Sequence, residues 1–181
     1  NNYRYGNGSY QQSLNPKWSM RTGIAYSYNQ NKTKIEGYPM NETEEGIHAK
    51  AVFDHSVSEQ LEVRMGAEII NRYYEASRLN ATTDAMESLS FSEPLSAAFA
   101  EAEFYASNHF VVKAGGRFEY NGLNDQTYAD PRFSLAYKPG KQGQFSFAYG
   151  TFRQSPLNQY LRINNQLNAQ RAEHFILNYQ I

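Results

Sequence analysis

The sequence has no cysteine among its 181 residues, which excludes a disulfide framework and any thiolate metal site. Its charges almost cancel, 17 Lys and Arg against 18 Asp and Glu, so nucleic acid is not an expected partner. No run comes near the roughly 20 apolar residues of a membrane helix, and the mean hydropathy is polar. That shortage is silent about a β-barrel, whose strands meet lipid only at every second residue. The sequence also lacks the Gly-x-Ser-x-Gly elbow of a hydrolase and any phosphate-binding glycine loop. The four histidines have no metal-ligand spacing. His48 and His55 would fall on opposite faces of one strand, His109 sits in a turn, and His174 stands alone. No metal and no cofactor is therefore implied. The opening Asn1-Asn2-Tyr3-Arg4-Tyr5 is no signal peptide and reads as mid-protein or processed chain.

What the chain has in quantity is aromatic residues, with 15 tyrosines and 11 phenylalanines. Most of them recur with period two, the signature of a strand with two unlike faces. The C-terminal third shows this most clearly. Phe133, Leu135 and Tyr137 alternate with Arg132, Ser134, Ala136 and Lys138, and a turn rich in Pro, Gly and Gln follows at 139–144. Phe145, Phe147 and Tyr149 then alternate with Ser146, Ala148 and Gly150, and Phe175, Leu177, Tyr179 and Ile181 with His174, Ile176, Asn178 and Gln180.

Upstream the same style repeats. The predicted strands lie near 18–28, 46–55, 61–73, 95–106, 110–121, 131–138, 144–153 and 172–181. A weakly patterned segment, Asn1 to Leu14, reads as a loop tail and a short strand. The alanines of 95–106 would also suit a helix, but the tight link at 106–109 and the neighbouring strands favour a strand. The connections alternate in length. Those at 15–17, 55–60, 106–109 and 139–144 are short, those at 29–45, 75–94 and 154–171 are long, and that at 121–130 is intermediate. A soluble sandwich has no reason to gather its long loops at one end, whereas an outer-membrane barrel does. Tyr28, Tyr73, Tyr74 and Tyr120, near strand ends, have the placement of an interfacial girdle.

The polar faces predict a charge network. Arg64, Glu68, Glu101, Glu103, Lys113, Arg117 and Glu119 fall on one face, together with Arg21, Lys50, Glu62 and Arg132. Ile24, Ala51, Val63, Met65, Val112, Phe133, Leu135, Phe147 and Leu177 fall on the other. Glu101 and Glu103 have the spacing of a paired-carboxylate enzyme, but cations on the next strand make charge balance the better account.

The order Pro-Arg-Phe-Ser-Leu-Ala-Tyr-Lys (131–138), Phe-Ser-Phe-Ala-Tyr-Gly-Thr-Phe-Arg-Gln-Ser-Pro (145–156), Tyr160-Leu161 and Leu-Asn-Ala-Gln-Arg-Ala-Glu-His-Phe-Ile-Leu-Asn-Tyr (167–179) resembles the barrel of TonB-dependent outer-membrane receptors. Ala169-Gln170 stands where that family's segment reads Pro-Glu, so the match is imperfect. The strand style extends over the whole chain, and the specific motif only over 131–179.

The expected fold is all-β, an antiparallel meander of about eight or nine strands forming 1–181 as one partial barrel, open because its edge strands pair with sequence outside it. The resemblance implies no enzyme but uptake of a scarce solute (an iron chelate, a vitamin or a glycan) across the outer membrane of a Gram-negative bacterium. Its implied partners are outer-membrane lipid, an extracellular small-molecule or glycan ligand, and a plug domain and TonB outside this chain. If a ligand contacts this chain, the contact is expected at the long-loop end, from Arg153, Asn158, Tyr160 and Arg162, although packing against neighbouring loops is the better account of these residues. Three other readings stand beside this one: a small complete outer-membrane barrel, a soluble β-sandwich carbohydrate-binding module, and an outer-membrane hydrolase with no residues to support it.

Overall fold

A computed structural model describes residues 1–35, 38–80, 85–140 and 143–181. Nine strands form one sheet in sequence order: β1 (Asn2–Asn15), β2 (Trp18–Ile35), β3 (Tyr38–Ser56), β4 (Leu61–Asn80), β5 (Ala85–Ser107), β6 (Phe110–Asn121), β7 (Gln126–Tyr137), β8 (Gln144–Gln154) and β9 (Gln170–Gln180). Every neighbouring pair is antiparallel. One short helix, α1 (Asn158–Leu161), interrupts the connection from β8 to β9. Strands β1 and β9 are the two edges and do not pair with each other. The segment 95–106 lies within β5 and is a strand, as its tight link to β6 predicts.

Local chemistry sets the turns at one end. The Asn15 side-chain carbonyl accepts from the backbone N–H groups of Lys17 (2.9 Å) and Trp18 (3.0 Å), an Asx turn that brings β1 into β2. Ser58 and Ser107 hydroxyls accept from the N–H groups of Gln60 and His109 in the same manner, both at 3.2 Å. At the opposite end Asp125 takes a positive φ of 55°, a backbone state Asp adopts more readily than most residues.

Three sequence expectations are corrected. The stretches 29–45 and 75–94 are not long loops: β2 and β3 pair out to Ile35 opposite Tyr38, and β4 and β5 to Asn80 opposite Ala85. Polar and charged residues conceal strand character because both faces there are wetted, and cross-strand pairs such as Arg78 with Glu87 (3.5 Å) replace apolar alternation. Asn1 to Leu14 likewise forms a full strand laddered onto β2. The intermediate link at 121–130 shrinks to a turn at 122–125 before β7. The middles of the expected connections, at 36–37, 81–84 and 141–142, lie outside the described residues.

The register places side chains on two faces. Lys50, Glu68, Ala97 and Glu119 lie in one cross-strand row, as do Asp54, Arg64, Glu101, Gly115 and Arg132. The eleven charged residues expected to share a face do share it, and the nine apolar residues expected opposite lie opposite. Exposure is inverted relative to a soluble protein. In the central strand β4, Glu68 is 8% exposed and its neighbour Ile69 is 60% exposed. No second sheet covers the apolar face, which removes the sandwich architecture. The girdle needs one change: Tyr28, Tyr73 and Tyr120 are on the apolar face, whereas Tyr74 is on the charged one.

Gly66 is required by close approach. A β-carbon there would stand 2.5 Å from the Ala51 carbonyl oxygen and 2.6 Å from the Phe99 ring, which lies across the glycine. Around Gly8 there is nothing within 4 Å. Gly66→Ala should therefore cost about 1–3 kcal/mol in denaturant unfolding from lipid vesicles. Gly8→Ala should leave the transition where it is.

Candidate functional site

The charged face carries two layers of polar contacts. The first runs along the middle of the strands. Asp54 accepts from Arg64 Nε (2.6 Å) and Arg21 Nη2 (3.1 Å). Lys113 Nζ sits between Glu101 (3.0 Å) and Glu103 (3.2 Å) on the adjacent strand. Glu68 receives Lys50 Nζ (3.3 Å), His48 Nε2 (3.1 Å) and Arg117, which also reaches Glu119 (2.6 Å). Most of these pairs follow from cross-strand register, with partners opposite or diagonal on neighbouring strands, whereas Arg117 reaches from β6 across Ala97 of β5 to Glu68 and also pairs with Glu119 along its own strand. A nearly buried carboxylate such as Glu68 is tolerable only with that many donors. Among the described residues no group of His, Asp and Glu is arranged to hold a metal.

The second layer lies nearer the β8–β9 connection and centres on Glu93. This carboxylate is fully buried. It accepts from Arg72 Nη1 (2.9 Å), Asn121 Nδ2 (3.0 Å) and Ser155 Oγ (2.5 Å). Arg72 Nη2 continues to the Asn158 side-chain oxygen at 3.0 Å, and the Asn158 amide donates to Glu44 on β3. Farther along, Tyr128 Oη accepts from the Ala169 N–H (3.2 Å) and the Asn124 amide (3.3 Å), and Asn124 also donates to the Leu167 carbonyl (2.9 Å). Leu161 is buried. The connection 155–169 therefore crosses the charged face as a strap, from β8 back to β3, and the sheet must curl around it for β3 to be in reach.

The four loop-end residues named from the sequence fall into this layer with unequal roles. Arg153 is held by Asp130 (3.1 Å) and stacks over Tyr128, 4.4 Å from its ring centre. Asn158 bridges Arg72 and Glu44. Arg162 faces Glu42 at 3.8 Å, and Tyr160 is about half exposed. Two of the four, Asn158 and Arg162, thus knit the strap to the wall, while Arg153 is fixed within the wall itself. Sequence reasoning missed Glu93 and Glu44, which lie in 75–94 and 29–45, the stretches read as loops, and it gave Arg72 and Tyr74 no part in this site. Had both strands been extended through 75–94, Arg72 and Glu93 would have fallen directly opposite one another.

Between the strap and the wall lies a cleft of 330 Å³, bordered by Tyr5, Glu44, Arg72, Tyr74, Phe91 and Asn158 among others. Tyr74 and Phe91 form a tilted ring pair with centroids 5.3 Å apart. Tyr74 Oη donates to Glu42 at 2.7 Å. Burial, and then this hydrogen bond, push the Tyr74 phenol up to about 12.

No family model and no curated protein matches the sequence. Solved structures do match it. The chain is similar to the receptor of the FpvAI–pyocin S2 complex at 10% identity and TM-score 0.78, covering 98% of this chain and 29% of that one. It is similar to the siderophore receptor PiuA from Acinetobacter baumannii at 11% identity and TM-score 0.74, covering 98% and 37%. It is also similar to the FrpB iron transporter from Neisseria meningitidis at 14% identity and TM-score 0.70, covering 98% and 33%. The fold is that of the TonB-dependent receptor barrel. The chain spans about a third of the length of these receptor chains. In such a barrel the charged face is the lumen and the exposed apolar face is the outer wall.

Two outcomes follow from the strap. Glu93→Ala removes the acceptor shared by Arg72, Asn121 and Ser155, at a cost of about 1–3 kcal/mol, and should expose 155–169 to limited proteolysis while the strands stay protected. Tyr74 keeps its proton in the fold beyond the ordinary range near 10. Its contribution to stability is thus complete below pH 10 and is lost as pH rises through about 12. Spectrophotometric titration should show one late-ionising tyrosine that disappears in Tyr74→Phe.

Proposed function

We propose that the chain forms part of the wall of a TonB-dependent receptor in the outer membrane of a Gram-negative bacterium, serving active uptake of a scarce solute. The observation that carries the reading is the inversion of exposure on a single curled sheet, with ion pairs inward and isoleucine, leucine and phenylalanine outward. A hydrocarbon surround makes that arrangement favourable, and water does not. The likeness to receptor barrels supports the same reading.

The chain's contribution is structural and selective, with no chemistry of its own. The outer wall meets lipid, the lumen face meets a plug domain supplied by other sequence, and the strap end meets the solute. Energy comes from an inner-membrane complex through TonB. In this reading 1–181 is one partial domain, and the mid-lumen network of Arg64, Glu68, Glu101, Glu103, Lys113, Arg117 and Glu119 sets the polarity against which the plug packs. The edges β1 and β9 do not meet, which favours the wall of a larger barrel over a small complete one.

The membrane placement is testable by substitution on the two faces of one strand. Leu135→Arg places a charge on the lipid face and should cost about 2–4 kcal/mol near mid-bilayer depth. Ser134→Arg, one residue away on the lumen face, should cost far less. Unfolding of the full protein from lipid vesicles measures both, and equal costs would sink the reading. Heat-modifiable migration of the native protein from the outer-membrane fraction, with uptake abolished when TonB is inactive, checks the transport role.

A further inference from the structure

We propose that the cleft between the strap and the wall of β1 to β5 takes an uncharged, hydrogen-bonding ligand with a flat apolar face, and discriminates against anionic ones. The inference rests on the receptor reading above and narrows the solute by its chemistry.

The argument is one of charge accounting inside the cleft. Each cationic side chain bordering it is already matched. Arg72 is held by Glu93 at 2.9 Å and His48 by Glu68 at 3.1 Å. Glu44 is not matched by a cation among the described residues; its partner is the neutral Asn158 amide. An anion entering here would meet no free guanidinium or ammonium and one surplus carboxylate, so its desolvation would go uncompensated. A neutral polar ligand meets a different surface. The Glu44 carboxylate accepts from hydroxyl or amide N–H groups, and the Asn158 side chain can exchange its present partners for theirs.

The apolar side of the site is aromatic. Tyr5 is 56% exposed on the lumen face of β1, and the Tyr74–Phe91 ring pair stands across from it. Gly46, opposite Ser27 and Arg72, keeps the floor between them low, with the Ser27 hydroxyl beside it. Aromatic rings bordering such a floor suit a ligand with a planar or ring-shaped apolar face, and the cleft volume of 330 Å³ is that of a small-ligand pocket. The strap matters to this chemistry, because Asn158 borders the cleft while Arg72 and Glu44 hold it there.

Two sources share the required chemistry, a neutral oligosaccharide and an uncharged metal chelate such as a ferric tris-hydroxamate. The test is calorimetric titration of the full-length protein in detergent with three probes: maltoheptaose, a neutral ferric tris-hydroxamate and a trianionic ferric tris-catecholate. One neutral probe should bind, and which one identifies the source. Tyr5→Ala and Asn158→Ala should each weaken it by about tenfold, and Tyr5→Ala, far from the anchors of the strap, should leave the proteolytic pattern of 155–169 unchanged. The catecholate should bind at least about tenfold more weakly and improve in Glu44→Gln. Tighter binding of the catecholate, binding of no probe, or a neutral probe indifferent to Tyr5→Ala each overturns the proposal. None of these results touches the lipid-face and fractionation measurements, on which the receptor reading stands or falls separately.

Discussion

In the receptor reading proposed above the backbone crosses hydrocarbon with no water to satisfy its amides, and under that reading this constraint organises the rest of the molecule. Each unpaired N–H or C=O in lipid costs several kcal/mol. The chain answers with a meander in which each strand ladders onto the one before it, so that pairing never waits on a distant partner. Only β1 and β9 present open edges. Once pairing is fixed, the period of two is fixed with it, and a one-residue slip would bring Glu68, Lys50 and Arg117 to the lipid face together. The register is therefore protected on both sides, by lipid outside and by ion pairs inside.

The two faces solve different problems with the same backbone. Outside, Ile69 and Phe118 are 60% and 63% exposed, which the proposed lipid surround would make favourable. Inside, charge burial is affordable only through redundancy: Glu68 draws on three donors, two from the neighbouring β3 and one from the more distant β6. Glycine lets the sheet curl where side chains would collide. Phe99 lies over Gly66 and takes the Lys50 ammonium above its ring at 5.1 Å, so one aromatic fills the space that glycine leaves and shields a charge.

How much of this could be read from the sequence depends on where one face is consistently apolar. Between Trp18 and Tyr28, Leu61 and Tyr73, or Phe133 and Tyr137, one face is apolar and the other polar, and alternation reports the strand and its register correctly. Beyond that band both faces are wet. Asn29 to Ile35 and Glu75 to Asn80 carry Lys, Glu, Asn and Ser on either side, so period two persists in the backbone but not in the polarity. Tyr74 illustrates the boundary. Adjacent to a girdle tyrosine, it was indistinguishable from one by composition, and only the parity of its strand turns it inward toward Glu42. The strap was illegible for another reason: its contacts join residues 155–169 to β3 and β5, and no local period records such distances.

The same parity argument separates two kinds of buried carboxylate. Glu68 belongs wholly to the wall, and its donors come from strands already fixed by backbone ladders. Losing one donor leaves others in place, so this network resists change. Glu93 is as deeply buried, but one of its three donors, Ser155, belongs to the strap, and Asn158 adds a second attachment only through Arg72 and Glu44. Hydrogen bonds that cross from a loop are not backed by a backbone ladder, and such segments occupy the low-stability end of a fold. Opening the strap therefore breaks no strand ladder and leaves Arg72 and Asn121 still satisfying Glu93. The wall can stay folded while the strap moves, which is what the proposed role in solute uptake requires.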